Sequence, residues 1–202
     1  MGRVKTYDDD LRQRLVDEAG QLLTAEGIGA VTLRRVAALA GTSTTAVYSL
    51  FGDKDALLTA MYIEGFGRLE RALTRAWATE QAPLAGLAAV GMAYRRAALT
   101  TPHLYGLMFG GTAPSFAPDA QAAAVAQGAY DPLHRGIQAC VDAGQLAVPS
   151  AAVLARYLWA LSHGLVSLEL AGFLDGPVRV RQAAYREAMT MSTLPYLVSP
   201  PA

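Results

Sequence analysis

Apolar residues recur at three- and four-residue spacing along nearly the whole chain, and no stretch alternates as a strand would. Leu15, Val16, Ala19, Leu22 and Leu23 mark one face of a first helix, which Glu26-Gly27-Ile28-Gly29 stops. Thr32 can cap a second helix carrying Leu33, Val36, Ala37 and Ala40 inward, and Gly41 supplies the left-handed residue that ends it. Ser43 can cap a third helix running to about Leu50. After Gly52, with Asp53 as cap, a long pattern runs from Lys54 to Thr79 through Leu57, Leu58, Met61, Tyr62, Phe66, Leu69, Leu73 and Trp77. Pro83 opens a further helix to Thr101, and a short one follows over 104–109. Residues 110–118 read as loop, 119–143 as one alanine-rich helix, and 150–172 and 178–197 as two closing helices. The expectation is an all-α chain of about nine helices.

On the third helix, Ala46, Val47 and Leu50 share one side, while Thr44, Thr45, Tyr48 and Ser49 share the other. Two short helices joined by a tight turn, the second presenting hydroxyls outward, form a helix-turn-helix. Such a second helix can lie in the major groove, where small hydroxyl side chains meet base edges and longer ones reach phosphate. Lys54, on the first turn of the next helix, can place its ammonium on a phosphate. The bland alternative is an ordinary helical corner with a solvated polar face.

Charge lends this reading no general support. The 202 residues hold 17 basic and 17 acidic side chains, so any polyanion contact must rest on a local face. Arg3, Lys5, Arg34, Arg35 and Lys54 flank the third helix, and Arg3 with Lys5 could form a minor-groove arm. Asp8, Asp9 and Asp10 are expected to cap the first helix rather than bind metal. Cys140 is a lone cysteine, which rules out an intrachain disulfide or a multi-cysteine zinc site. No uninterrupted apolar run reaches membrane-spanning length and no signal-like segment leads the chain, so a cytoplasmic protein with no membrane partner is expected.

Catalytic chemistry finds no carriers. His103, His134 and His163 are far apart, and no phosphate-binding loop, dinucleotide fingerprint or nucleophile elbow occurs. His163 and Glu169, six residues apart, do not face each other on a helix. The expectation is therefore no enzyme, no cofactor and no metal. The aromatic and methionine residues between Phe66 and Trp159 are individually ordinary core residues, yet together they could line a pocket for a small apolar or aromatic molecule. The helix over 150–172 is apolar nearly all round, so it is either fully buried or covered on one side by a second subunit.

The joint pattern A-x-x-A-G-x-S-x-x-x-x-Y-x-x-F-x-x-K-x-x-L, from Ala37 to Leu57, resembles the DNA-binding signature of the tetracycline-repressor (TetR) family of bacterial regulators. The upstream helix and loop are similar too, and Trp159 to Gly164 looks like a TetR subgroup carrying Trp-x-x-x-His-Gly. Thr42 and Thr45 depart from the usual apolar and glycine residues, so base preference does not transfer by analogy.

The resemblance implies a three-helix DNA-binding domain over residues 1–55 and a helical bundle over 56–202 that binds effector and dimerises through its last two helices. It implies a ligand-responsive regulator, most simply a repressor released from a palindromic duplex operator by a small apolar effector. Thr32, Arg34, Ser43, Tyr48 and Lys54 are then the phosphate-side candidates, and Thr44, Thr45 and Ser49 the base-side ones. Phe66, Met92, Met108, Phe109, Phe116, Tyr130, Trp159 and His163 are the candidates for the effector site. The rival readings are a helical small-molecule binding protein without a DNA role and an unrecognised helical enzyme.

Overall fold

The computed structural model describes residues 3–109 and 116–198, with side chains from residue 9 onward. These residues form ten α-helices and one 3-10 turn: α1 (Arg3–Glu26), α2 (Leu33–Leu39), α3 (Thr44–Phe51), α4 (Lys54–Ala78), α5 (Pro83–Thr100), α6 (Pro102–Met108), α7 (Ala120–Gly128), α8 (Asp131–Asp142), α9 (Ala151–Leu170), α10 (Val178–Thr193) and the turn Leu194–Tyr196. Extended pairing among them is limited to a bridge between Leu146 and Leu197.

Two compact units divide the chain. Unit 1 comprises Met1–Gly67 and Thr101–Ala126; unit 2 comprises Arg68–Thr100 and Gln127–Ala202. The expected boundary at residue 55 falls inside unit 1, because α6 returns to pack on α1. Small residues allow that approach. A Cβ on Gly20 would lie 2.3 Å from the His103 ring, and one on Gly65 would lie 2.7 Å from Met108 Sδ. The α1 residues Leu15, Val16, Ala19, Leu22 and Leu23 are all buried, as their periodicity requires.

Unit 2 has its own core of Leu87, Ile137, Cys140, Leu146, Leu154, Ala155 and Leu158. Trp77 sits where a Cβ on Gly86 or Gly136 would come within 2.8 or 2.9 Å of its ring, so these two glycines admit the indole between α5 and α8. Glu169 on α9 ties the unit together. It accepts from Arg95 of α5 through Nε at 2.7 Å and Nη2 at 2.5 Å, and from Arg181 of α10 through Nε at 2.9 Å. These charge-assisted bonds hold its carboxyl below the ordinary carboxylate pKa.

Three helix expectations need correction. The alanine-rich segment is two helices, since Pro132 lacks an N–H and its ring would clash with the Gly128 carbonyl in a continuous helix. The last helix stops at Thr193, before Pro195, and the chain turns to pair with the segment after α8. Asp8 to Asp10 do not cap α1, which has already run from Arg3. The side chains of Arg3 and Lys5, the expected arm, lie outside the described residues.

Helix α9 is, among the described residues, the one helix long and apolar enough to cross a membrane, with 20 residues and a mean hydropathy of 1.3. It packs on α5, α8 and α10. Its outer side leaves Val153, Tyr157, Ala160, Gly164 and Leu168 exposed at helical spacing, so the fully buried alternative does not hold within one chain. Helix α10 buries only Tyr185 and exposes Val180 and Met191; Phe173, between the two helices, is 75% exposed.

Candidate nucleic-acid interface and interior cavity

The helix-turn-helix is built by caps. Thr32 Oγ1 accepts from the Arg35 amide at 3.3 Å at the start of α2, and Ser43 Oγ accepts from the Ala46 amide at 3.1 Å at the start of α3. Between them Gly41 adopts φ +66°, the Thr42 amide bonds the Ala37 carbonyl at 2.9 Å and the Gly41 amide bonds the Ala38 carbonyl at 3.3 Å. That paired closure ends α2 and turns the chain, and only a residue free of a Cβ adopts this conformation without strain. Asp53 Oδ1 caps α4 through the Ala56 amide at 2.8 Å.

Val47 and Phe51 anchor α3 in the unit core, while Thr45, Tyr48 and Ser49 are exposed and Thr44 is half-exposed. The structure therefore brings the four outward candidates onto one accessible face. Tyr48 is 56% exposed despite its aromatic ring.

The basic residues are less available than the sequence suggests. Arg35 is held by Glu26 in a two-pronged pair at 2.8 and 2.7 Å. Lys54 Nζ donates to the Ile28 carbonyl at 2.5 Å, so it tethers the start of α4 to the α1–α2 loop. Arg12 Nη1 reaches the Leu50 carbonyl at 3.4 Å with its guanidinium 4.8 Å above the Phe51 ring, which steadies the C-terminal end of α3. Arg34 is exposed.

The eight candidates for a ligand site do not share one place. Phe66, Met108, Phe109 and Phe116 belong to unit 1, where Phe66 meets Phe109 at 5.6 Å and Tyr62 meets Phe116 at 5.7 Å between ring centroids. Phe66 and Met108 are buried, while Phe109 and Phe116 are half-buried. Met92, Tyr130 and Trp159 do line a cavity of about 370 Å³ within unit 2, together with Leu69 and Leu73 of α4, Leu84, Leu87 and Tyr94 of α5, and Leu158 and Ser162 of α9. Met189 and Arg186 of α10 complete it. His163 is half-buried on α9 and outside this wall; burial lowers its pKa, so the ring is neutral at pH 7.

Aromatic abundance did not separate core from cavity, because both are built from the same side chains. The missed wall residues include Ser162, whose signal was a small hydroxyl at a position in step with the inward-facing Leu154, Leu158 and Val166, and Arg186, which carried none. Among the described residues, no three His, Cys, Asp or Glu side chains gather as a metal site. Cys140 is buried and its thiol is pushed up to about 11, an inert core residue.

Comparison with known families decides what this architecture is. The description "Bacterial regulatory proteins, tetR family" matches residues 15–61, and "Tetracyclin repressor-like, C-terminal domain" matches residues 87–191. The chain belongs to the TetR family. No curated protein matches it.

Among solved structures, a protein of unknown function from Rhodococcus sp. RHA1 is similar at 30% identity and TM-score 0.79, covering 93% of this chain and 96% of that one. The TetR family transcriptional regulator PfmR from Thermus thermophilus is similar at 22% identity and TM-score 0.70, covering 89% and 97%. The fatty acid degradation regulator FadR from Bacillus halodurans shares the fold at 13% identity and TM-score 0.76, covering 92% and 96%. As a TetR family member this protein is a ligand-responsive, DNA-binding transcriptional regulator and not an enzyme.

Proposed function

We propose that this TetR family protein is a cytoplasmic homodimeric repressor that leaves a palindromic operator when a small, mostly apolar effector enters the unit 2 cavity. Residues 1–55 supply the DNA contacts and 56–202 the effector and subunit contacts. The observation that carries the DNA half is the exposed hydroxyl face of α3 standing between capped helix starts. Thr44, Thr45 and Ser49 read bases. Thr32, Arg34, Ser43, Tyr48 and Lys54 position phosphates, with Lys54 offering its remaining protons beyond the Ile28 bond.

Subunits pair through α9 and α10, whose exposed apolar residues would otherwise face water. Ala160 and Gly164 in the middle of the α9 stripe let two helices approach closely. Helix α4 carries Lys54 at its start, in unit 1, and further along Leu69 and Leu73, which belong to the cavity wall of unit 2.

The test is sequencing of oligonucleotides selected by the full-length protein. Two inverted half-sites are expected, about one helical turn or more apart. Recovery of only asymmetric sites would overturn the dimeric repressor reading.

A further inference from the structure

We propose that the effector of the unit 2 cavity is a single-chain amphiphile whose apolar chain fills the cavity and whose phosphate-bearing head lies in an adjoining groove between α4 and α5, held by Arg75 and Arg96. This rests on the cavity being the effector site and adds the chemistry of the head group.

The groove has a volume of about 420 Å³ and lies wholly within unit 2. Helix α4 presents Ala72, Arg75, Ala76 and Thr79 to it, and α5 presents Ala89, Met92 and Arg96, each set at helical spacing. Both arginines are exposed, and among the described residues neither is joined to a carboxylate, unlike Arg35, Arg95 and Arg181. Thr79 spends its hydroxyl proton on the Ala76 carbonyl at 2.8 Å, so the side-chain donors left to a ligand are the two guanidiniums. No acidic residue occurs over 71–79 of α4 or over 83–100 of α5. Two like charges on one groove, with no acid along its walls, favour an anion between them.

A phosphate answers this arrangement better than a carboxylate. One guanidinium fork fills both oxygens of a carboxylate, whereas a phosphate monoester has three free oxygens and nearly two charges, enough for two forks. The chain follows from the wall that the two spaces share. Ala89 and Met92 line both the groove and the cavity, and the half-buried, unbranched Met92 can yield to a chain running between them. The charged residues of the cavity wall itself, Glu80 and Arg186, are exposed and opposite in sign, so they offset each other and leave the net positive charge at Arg75 and Arg96.

The probes are octyl phosphate, octanoate, octanol and ethyl phosphate, titrated calorimetrically into the full-length protein at low salt. Octyl phosphate should bind about tenfold tighter than octanol, the low end for a charge-assisted hydrogen bond because the groove is open to water, with octanoate between the two. In the double variant Arg75→Gln with Arg96→Gln, changed only at exposed positions, octyl phosphate and octanol should bind alike. Equal binding of these two by the parent, a preference that persists in the double variant, or octanoate binding as tightly as octyl phosphate overturns the proposal. Ethyl phosphate, with no chain to bury, should bind far more weakly than octyl phosphate. Equal affinity for the two phosphates would put the whole ligand in the groove and overturn the effector-cavity reading itself.

Discussion

Replacing Glu169 by glutamine should remove about 3 kcal/mol or more of folding stability, because it leaves a buried guanidinium without its counter-charge. Arg95 is 5% exposed and makes two of its bonds to this carboxylate, at 2.7 and 2.5 Å. Arg181 is more accessible and can recover water, so the cost falls on Arg95. Glutamine keeps one acceptor oxygen, which places the loss near the lower end of the roughly 3–5 kcal/mol typical of a broken buried pair. Against a total of about 5–15 kcal/mol for a protein of this kind, that is a large fraction.

The same pair sets an acid limit. The folded-state pKa of Glu169 lies below its ordinary 4.5, so its contribution is complete above that value and is lost as pH falls through the lowered one. Urea unfolding at fixed protein concentration, from neutral pH down to the acid limb, measures both effects. Glu169→Gln should be weaker at neutral pH and should lose part of the acid dependence. The double change Arg95→Met with Glu169→Leu should recover much of the loss, since it removes both charges and fills the space with apolar atoms. A loss under about 1 kcal/mol, or a double variant as weak as the single one, would sink the reasoning that an unpaired buried charge is the cause.

Three further outcomes are expected. Lys54→Ala should weaken binding to all duplexes alike, whereas Thr45→Ala should shift preference at particular base pairs by about 1–3 kcal/mol; binding to a randomised duplex library distinguishes the two, and exchanged behaviour would invert the assigned roles. Leu168→Arg, on the exposed side of α9, should convert the dimer to folded monomers in sedimentation, and a persistent dimer would move the subunit contact elsewhere. Gly136→Ala should destabilise by about 1–3 kcal/mol because its methyl would lie 2.9 Å from the Trp77 ring, and an unchanged urea midpoint would show that the indole yields freely.

Local chemistry alone specified the reading unit: Thr32, Gly41, Ser43 and Asp53 act on backbone groups a few residues away, so caps and turn are legible in order along the chain. The inward face of α1 was legible for the same reason, since helical period relates near neighbours. What needed the tertiary structure were relations across long separations. Periodicity marks Phe66 and Trp159 equally as apolar, but only packing puts the first in the unit 1 core and the second on the unit 2 cavity. Charge in the sequence made Arg35 and Lys54 equivalent to Arg34, whereas the fold gives Arg35 a carboxylate and Lys54 a carbonyl. The pairing of Arg95 with Glu169, 74 residues apart, had no sequence signature because it depends on which helices meet, and that is decided by how whole faces pack.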